Sequence, residues 1–307
     1  MVEKPNPQQT DAVLLCGYDS KPGFNGRNKF SLEVGGGNDI LENTLDALDH
    51  TQFVDRVFVV ASANDVQGRF VGRQKEYVLV EPQGSLINNV AAGIDKQQQR
   101  GGKEHVLMVC SDLPFLTSQS LDWLVINSRP DSDNKGIQIP VVPHPKVQEL
   151  LPTYETYYYP MREFSFKMGN NIFIDINLLN EERIRLLVDG YRNSGSDNYV
   201  LMSLQKMALL QRYGGIEAVY TVMINYLSKL LQIKYGTEKR VPLSRLRGKS
   251  DYERIMSRII GHKTQLLTTP FVDIVLDVDN AVRLGIFQRG YDRISQIVHR
   301  QSDQTMI

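Results

Sequence analysis

Four charged positions stand where this chain could do chemistry: Arg27 and Lys29 in a glycine-bearing loop, and Asp112 and Asp279 after apolar runs. In "GYDSKPGFNGRNKF" (17–30), Gly17, Gly23 and Gly26 permit a backbone that wraps an anion, and Arg27 and Lys29 supply charge for phosphate oxygens. A solvated surface loop can have the same composition, and the stretch is neither a Walker loop nor a dinucleotide fingerprint. Asp112 closes "VLMVCSD" (106–112), and Asp279 stands near the end of "FVDIVLDVDN" (271–280), with Asp277 as the alternative. Two carboxylates at adjacent strand ends raise each other's pKa unless a cation lies between them. Mg²⁺, or Mn²⁺ in its place, held by one or two carboxylates plus substrate phosphates is the common arrangement. Each aspartate also has a plain reading, Asp112 as the cap of a helix near Thr117 and Asp279 as the cap of one from Ala281.

Other candidates are weaker. Gly84 and Ser85 form a strand-to-helix turn that could meet a base or ribose through backbone groups, or be an ordinary turn. The aromatics Tyr154, Tyr157, Tyr158, Tyr159, Phe164 and Phe166 fit core or cover better than a stacking platform. His105, His144, His262 and His299 lack metal-ligand spacing. Cys16 and Cys110, each inside an apolar run, read as reduced core thiols of a cytoplasmic protein.

The elements that must carry these residues alternate. Strand-like runs at 12–17, 54–62, 77–82 and 105–110 are continuous rather than alternating in polarity, and helix-like segments at 40–50, 85–99 and 117–128 separate them. This pattern predicts a doubly wound, mostly parallel α/β sheet whose carboxyl ends face a ligand crevice. Further strands are expected at 137–144, 170–179 and 271–280, and an extended aromatic segment at 151–166. A mainly helical insertion over about 180–262 precedes the expected last strand, and 281–301 reads as a terminal helix. The reading is one compact domain with a nucleotide-binding half (1–150) and an acceptor-binding half (151–307).

Among the 307 residues, 35 Lys plus Arg balance 35 Asp plus Glu, so no global field attracts nucleic acid. The opening "MVEKPNPQQTD" has no apolar signal core. The apolar helices of 198–234 carry Lys206, Arg212, Glu217 and Lys229 and fall short of the ~18 to 20 apolar residues of a membrane span. They suit core packing or a homodimer interface at least as well as peripheral membrane contact.

Taken in order, "LLCGYDSKPGFNGRNKF", "GGNDILENTLDAL", "VEPQGSLINNVAAGI", "VLMVCSDLPFLT" and "VLDVDNAVRL" resemble the sugar-nucleotide-type nucleotidyltransferases of GT-A-like Rossmann fold. Within that group the chain resembles the molybdenum cofactor guanylyltransferase-like NTP transferases, over nearly its whole length. The resemblance implies condensation of an NTP with a phosphorylated sugar, polyol or cofactor, releasing pyrophosphate, with Mg²⁺ on Asp112 and Asp279. It further implies that Lys29 and Arg27 neutralise the triphosphate and that Cys16 and Gly17 approach it through the backbone. Gly84, Ser85 and Asn89 match the base- and ribose-facing turn. Gly169 and Asn171, in "FKMGNNIFIDINLL", match the acceptor segment. The chain departs from the family pattern at Tyr18, where a second Gly is usual, and at Met168 and Asn170 in the Thr-Gly-Gly-Asn element. These departures fit altered substrate choice or weakened turnover. They also define a second class of function, a non-catalytic nucleotide-binding or scaffold protein on the same fold.

Overall fold

The computed structural model describes residues 9–17, 24, 26–128, 136–152, 154, 156–180, 184, 199–235 and 247–305. Tyr18, Gly23 and most of the helix expected over 180–198 lie outside the described residues. Two compact units share the chain: Met1–Arg129, Gly169–Ile176 and Thr269–Ile307 form the first, Pro130–Met168 and Asn177–Thr268 the second. Each unit gathers segments distant in sequence.

Along the chain the first unit opens with β1 (Thr10–Leu15), a 3-10 turn (Lys29–Ser31), β2 (Glu33–Gly35), β3 (Asn38–Asp39) and α1 (Ile40–Asp49). It continues through β4 (Val54–Val60), α2 (Ala63–Val66), β5 (Glu76–Val80), α3 (Leu86–Gln99), β6 (His105–Cys110) and α4 (Ser118–Asn127). The second unit then supplies β7 (Gly136–Pro143), α5 (His144–Leu150), β8 (Tyr159–Pro160) and β9 (Ser165–Met168). The chain returns to the first unit for β10 (Ile172–Asp175) and to the second for α6 (Tyr199–Tyr235), α7 (Lys249–Ile260) and β11 (Lys263–Thr268). It ends in the first unit with α8 (Ala281–Thr305).

In the first unit the strand order is β5-β4-β1-β6-β10, the first four parallel and β10 antiparallel to β6. The expected mostly parallel α/β sheet is thus present, and all six residues of β1 are buried, as continuous apolar strands require. Asp39 caps α1 by accepting the Glu42 N–H at 2.9 Å, and Ile40, Leu41, Leu45 and Leu48 turn inward. Helix α3 lies close on β1 and β4 because residue 93 is glycine: a Cβ there would stand 2.5 Å from Val13 Cγ1 and 3.2 Å from Val60 Cγ2. Tyr291 of α8 closes over the β2–β3 hairpin, where Gly36 has φ 70° and a Cβ would meet the Tyr291 hydroxyl at 2.8 Å.

The strand expected at 271–280 is not one. Asp273–Val275 is a 3-10 turn and residues 276–280 have no regular structure, yet Phe271 through Val278 are all buried. The apolar run is satisfied by burial, while its backbone is pinned by single bonds to neighbouring loops: Asn170 N–H to Ile274 O and Val278 N–H to Asp112 O. Asp273 within the run accepts both the Thr117 N–H (2.8 Å) and the Thr117 hydroxyl (2.7 Å). Helices α6 and α7 precede β11, the last strand among the described residues, which lies before the expected 271–280.

In the second unit β7 lies between β9, antiparallel, and β11, parallel, and β8 extends the sheet beyond β9. Helix α6 breaks at Gly215. Beyond the break its inward positions are mostly small or polar, Ala218, Thr221, Ser228 and Gln232, whereas Ile216, Tyr220, Met223, Leu227 and Leu230 are exposed. Among the described residues no helix is long and apolar enough to cross a membrane.

Candidate active site

The four parallel strands of the first unit end in one row. Leu15 pairs with Val60 on one side and Cys110 on the other, and Val60 pairs with Val80. Ladder-like bonds run one residue further, from Cys16 N–H to Val60 O, Ala61 N–H to Val80 O and Ser111 N–H to Leu15 O. Cys16–Gly17, Glu81 and Ser111–Asp112 therefore leave the sheet at a common edge, where a parallel sheet offers its ligand crevice. Gly17 is exposed there, while burial pushes the Cys16 thiol up to about 12, so it stays protonated and inert as a nucleophile.

Asp112 is the focus of the edge. Its carboxyl is pushed up to about 6, chiefly by burial and then by the charge of Asp277, with Asp279 adding to the rise and Lys29 opposing it. Its buried Oδ1 has no hydrogen-bond partner among the described residues. Asp277 is buried and Asp279 is about half exposed. Arg283 joins them: its Nη1 donates to Asp277 Oδ1 at 3.0 Å and to Asp279 Oδ2. Asp112, Asp277, Asp279, Lys29 and Arg283 thus form one electrostatic cluster, even though Asp277 and Asp279 sit in irregular chain rather than at a strand end.

Neither aspartate caps a helix. Thr117 caps α4, its side chain accepting from the Ser120 N–H, and at α8 Asn280 Oδ1 accepts the Arg283 N–H at 2.9 Å. Lys29 opens the 3-10 turn before the hairpin, and Arg27 is exposed, its N–H bonded to Phe24 O. Among the described residues no three His, Cys, Asp or Glu side chains gather into a complete metal cage. A partial carboxylate set with an orphaned buried oxygen suits a cation that also takes oxygens from a phosphate ligand.

The remaining expected residues lie on the same framework. Gly84, with φ 79°, turns the chain after β5, and Ser85 Oγ caps α3 by accepting the Asn88 N–H at 3.2 Å. Asn89 is buried, its Oδ1 accepting the Gln83 N–H at 2.6 Å. The turn is braced from within and presents backbone, at a strand separated from β6 by β4 and β1. Asn171 is fully buried and its Oδ1 accepts the Cys110 N–H at 3.0 Å, while Cys110 Sγ donates to Asn170 O. Gly169, also buried, precedes this junction. Segment 169–171 therefore ties the last residue of the strand bearing Asp112 to the buried run of 271–278. Arg283 was absent from the sequence reading, and its one signal was the i to i+4 spacing from Asp279.

The mostly parallel mixed sheet with flanking helices is a nucleotide-diphospho-sugar transferase-like fold. Residues 12–159 match the family described as the MobA-like NTP transferase domain. No curated protein matches the chain. A hypothetical transferase from Thermus thermophilus is similar in structure, with TM-score 0.64 and 20% identity, covering 90% of this chain and all of that one. The 4-diphosphocytidyl-2C-methyl-D-erythritol synthase from Anaerococcus prevotii has TM-score 0.50 and 10% identity, covering 93% of this chain and 97% of that one. At these identities the likenesses speak for the fold.

Proposed function

We propose that the chain is a Mg²⁺-dependent nucleotidyltransferase that joins an NTP to a small phosphorylated acceptor, a sugar, polyol or cofactor phosphate, and releases pyrophosphate. The observation that carries this reading is the buried, unpartnered Oδ1 of Asp112, at the carboxyl edge and within the fields of Asp277, Asp279 and Lys29. An acceptor phosphate oxygen attacks the α-phosphorus of the NTP, the bond from that phosphorus to the bridging oxygen breaks, and pyrophosphate leaves with the electron pair. The acceptor phosphate is already an anion, so no general base is required. The chain's task is alignment and charge neutralisation. Lys29 and the exposed Arg27 supply positive charge to the triphosphate, and Gly17 and the turn at Gly84–Ser85 offer backbone to it. Asp112, with Asp279 or Asp277, would hold the divalent cation, which supplies Lewis acidity to phosphate oxygens.

Pyrophosphate release by the full chain, over a panel of NTPs and acceptor phosphates, tests the reading. Asp112→Ala should fall to background and Lys29→Ala by about 10²- to 10³-fold. Full activity in Asp112→Ala would overturn the assignment. NTP binding without release by the wild type across the panel would favour the non-catalytic nucleotide-binding alternative.

A further inference from the structure

The carboxylate cluster already contains a cation, and it is the chain's own. One Arg283 nitrogen reaches both Asp277 and Asp279, and Arg283 has only 13% of its side chain exposed. A guanidinium cannot shed its proton at any working pH. Arg283 is also the third residue of α8, where the positive end of the helix dipole disfavours a cation, and the two carboxylates offset that cost. We propose that Arg283 is a resident counter-cation, holding Asp277 and Asp279 together until a divalent cation takes them, so that metal and guanidinium compete for the same oxygens. The inference rests on the metal-dependent reading above and assigns to it a positioning residue. Competition follows from charge: near a bound divalent cation the guanidinium meets repulsion from the metal as well as from the helix end, and the attraction that held it is shared away. Asp112 and Lys29, whose charges also act in the cluster, do not alter the sign, since both act on wild type and variant alike.

The test uses the full-length, nucleotide-free protein and Mn²⁺ as the probe, its binding followed by electron paramagnetic resonance. Arg283→Gln removes the competitor and should bind Mn²⁺ about five- to tenfold more tightly than wild type. Arg283→Lys retains the charge and should stay close to wild type. Equal or weaker binding by Arg283→Gln overturns the inference while leaving the metal reading intact. Absence of Mn²⁺ binding in both proteins, with or without NTP, overturns the metal reading and the inference together. If Arg283→Gln does not fold, the ¹⁵N-labelled wild type decides. The Arg283 Nε–H signal must then shift saturably with Mg²⁺, and an unmoved signal while neighbouring amides titrate overturns the proposal.

Discussion

Asp112 differs from the other acidic residues of the cluster in having a buried oxygen without a partner among the described residues, whereas Asp277 and Asp279 share Arg283. Such an atom costs stability unless something else meets it, which is why the proposed reaction places its cation on Asp112. It was legible in sequence because it ends an unbroken apolar run, and Lys29 because it ends a glycine-bearing loop. Arg283 was not legible: in "AVRLGIFQRG" it reads as one more charge on an amphipathic helix, and only three dimensions show both aspartates on it. Asn171 illustrates the opposite case, a residue matched by resemblance to the acceptor segment whose oxygen bonds the Cys110 N–H. Asn171→Ala should cost about 1 to 3 kcal/mol in urea denaturation, the penalty for leaving that buried N–H unpaired. Unchanged stability with a raised KM for the acceptor would instead make Asn171 an acceptor contact.

The positioning elements are strands whose ends align, so that Cys16, Ala61, Glu81 and Ser111 follow Leu15, Val60, Val80 and Cys110 in a single row. Sequence showed these strands clearly, because a strand buried on both faces reads as a continuous apolar run. The same rule failed at 271–280, where an equally apolar run is buried without joining a ladder and Asp273 holds the start of α4 through Thr117. Composition reports burial, whereas pairing depends on which neighbour has a free edge. The sheet edge also depends on α3 lying close to β1 at Gly93. Gly93→Ala should destabilise the protein by about 1 to 3 kcal/mol through overpacking against Val13, measured as a lower denaturation midpoint with unchanged slope. A midpoint equal to wild type would show that α3 can shift away at no cost.

At the scale of the molecule, the α/β class was readable from the order of periodic segments. The gathering of distant segments into each unit was not, because it depends on contacts between segments such as Gly169–Ile176 and the distant ends of the first unit. The balanced charge is consistent with a small anionic ligand held by local groups rather than by a global field. The segment 12–159 that matches the MobA-like NTP transferase model contains Lys29 and Asp112, whereas Asp277, Asp279 and Arg283 come from the chain's last segment, so the complete cluster exists only in the folded protein. Anomalous scattering from crystals grown with Mn²⁺ and an NTP tests the central claim most directly. The predicted result is a manganese peak against the Asp112 carboxylate and the triphosphate, with Asp277 or Asp279 completing the protein ligands. A nucleotide whose metal is held away from Asp112, with that carboxylate still unpartnered, would contradict it.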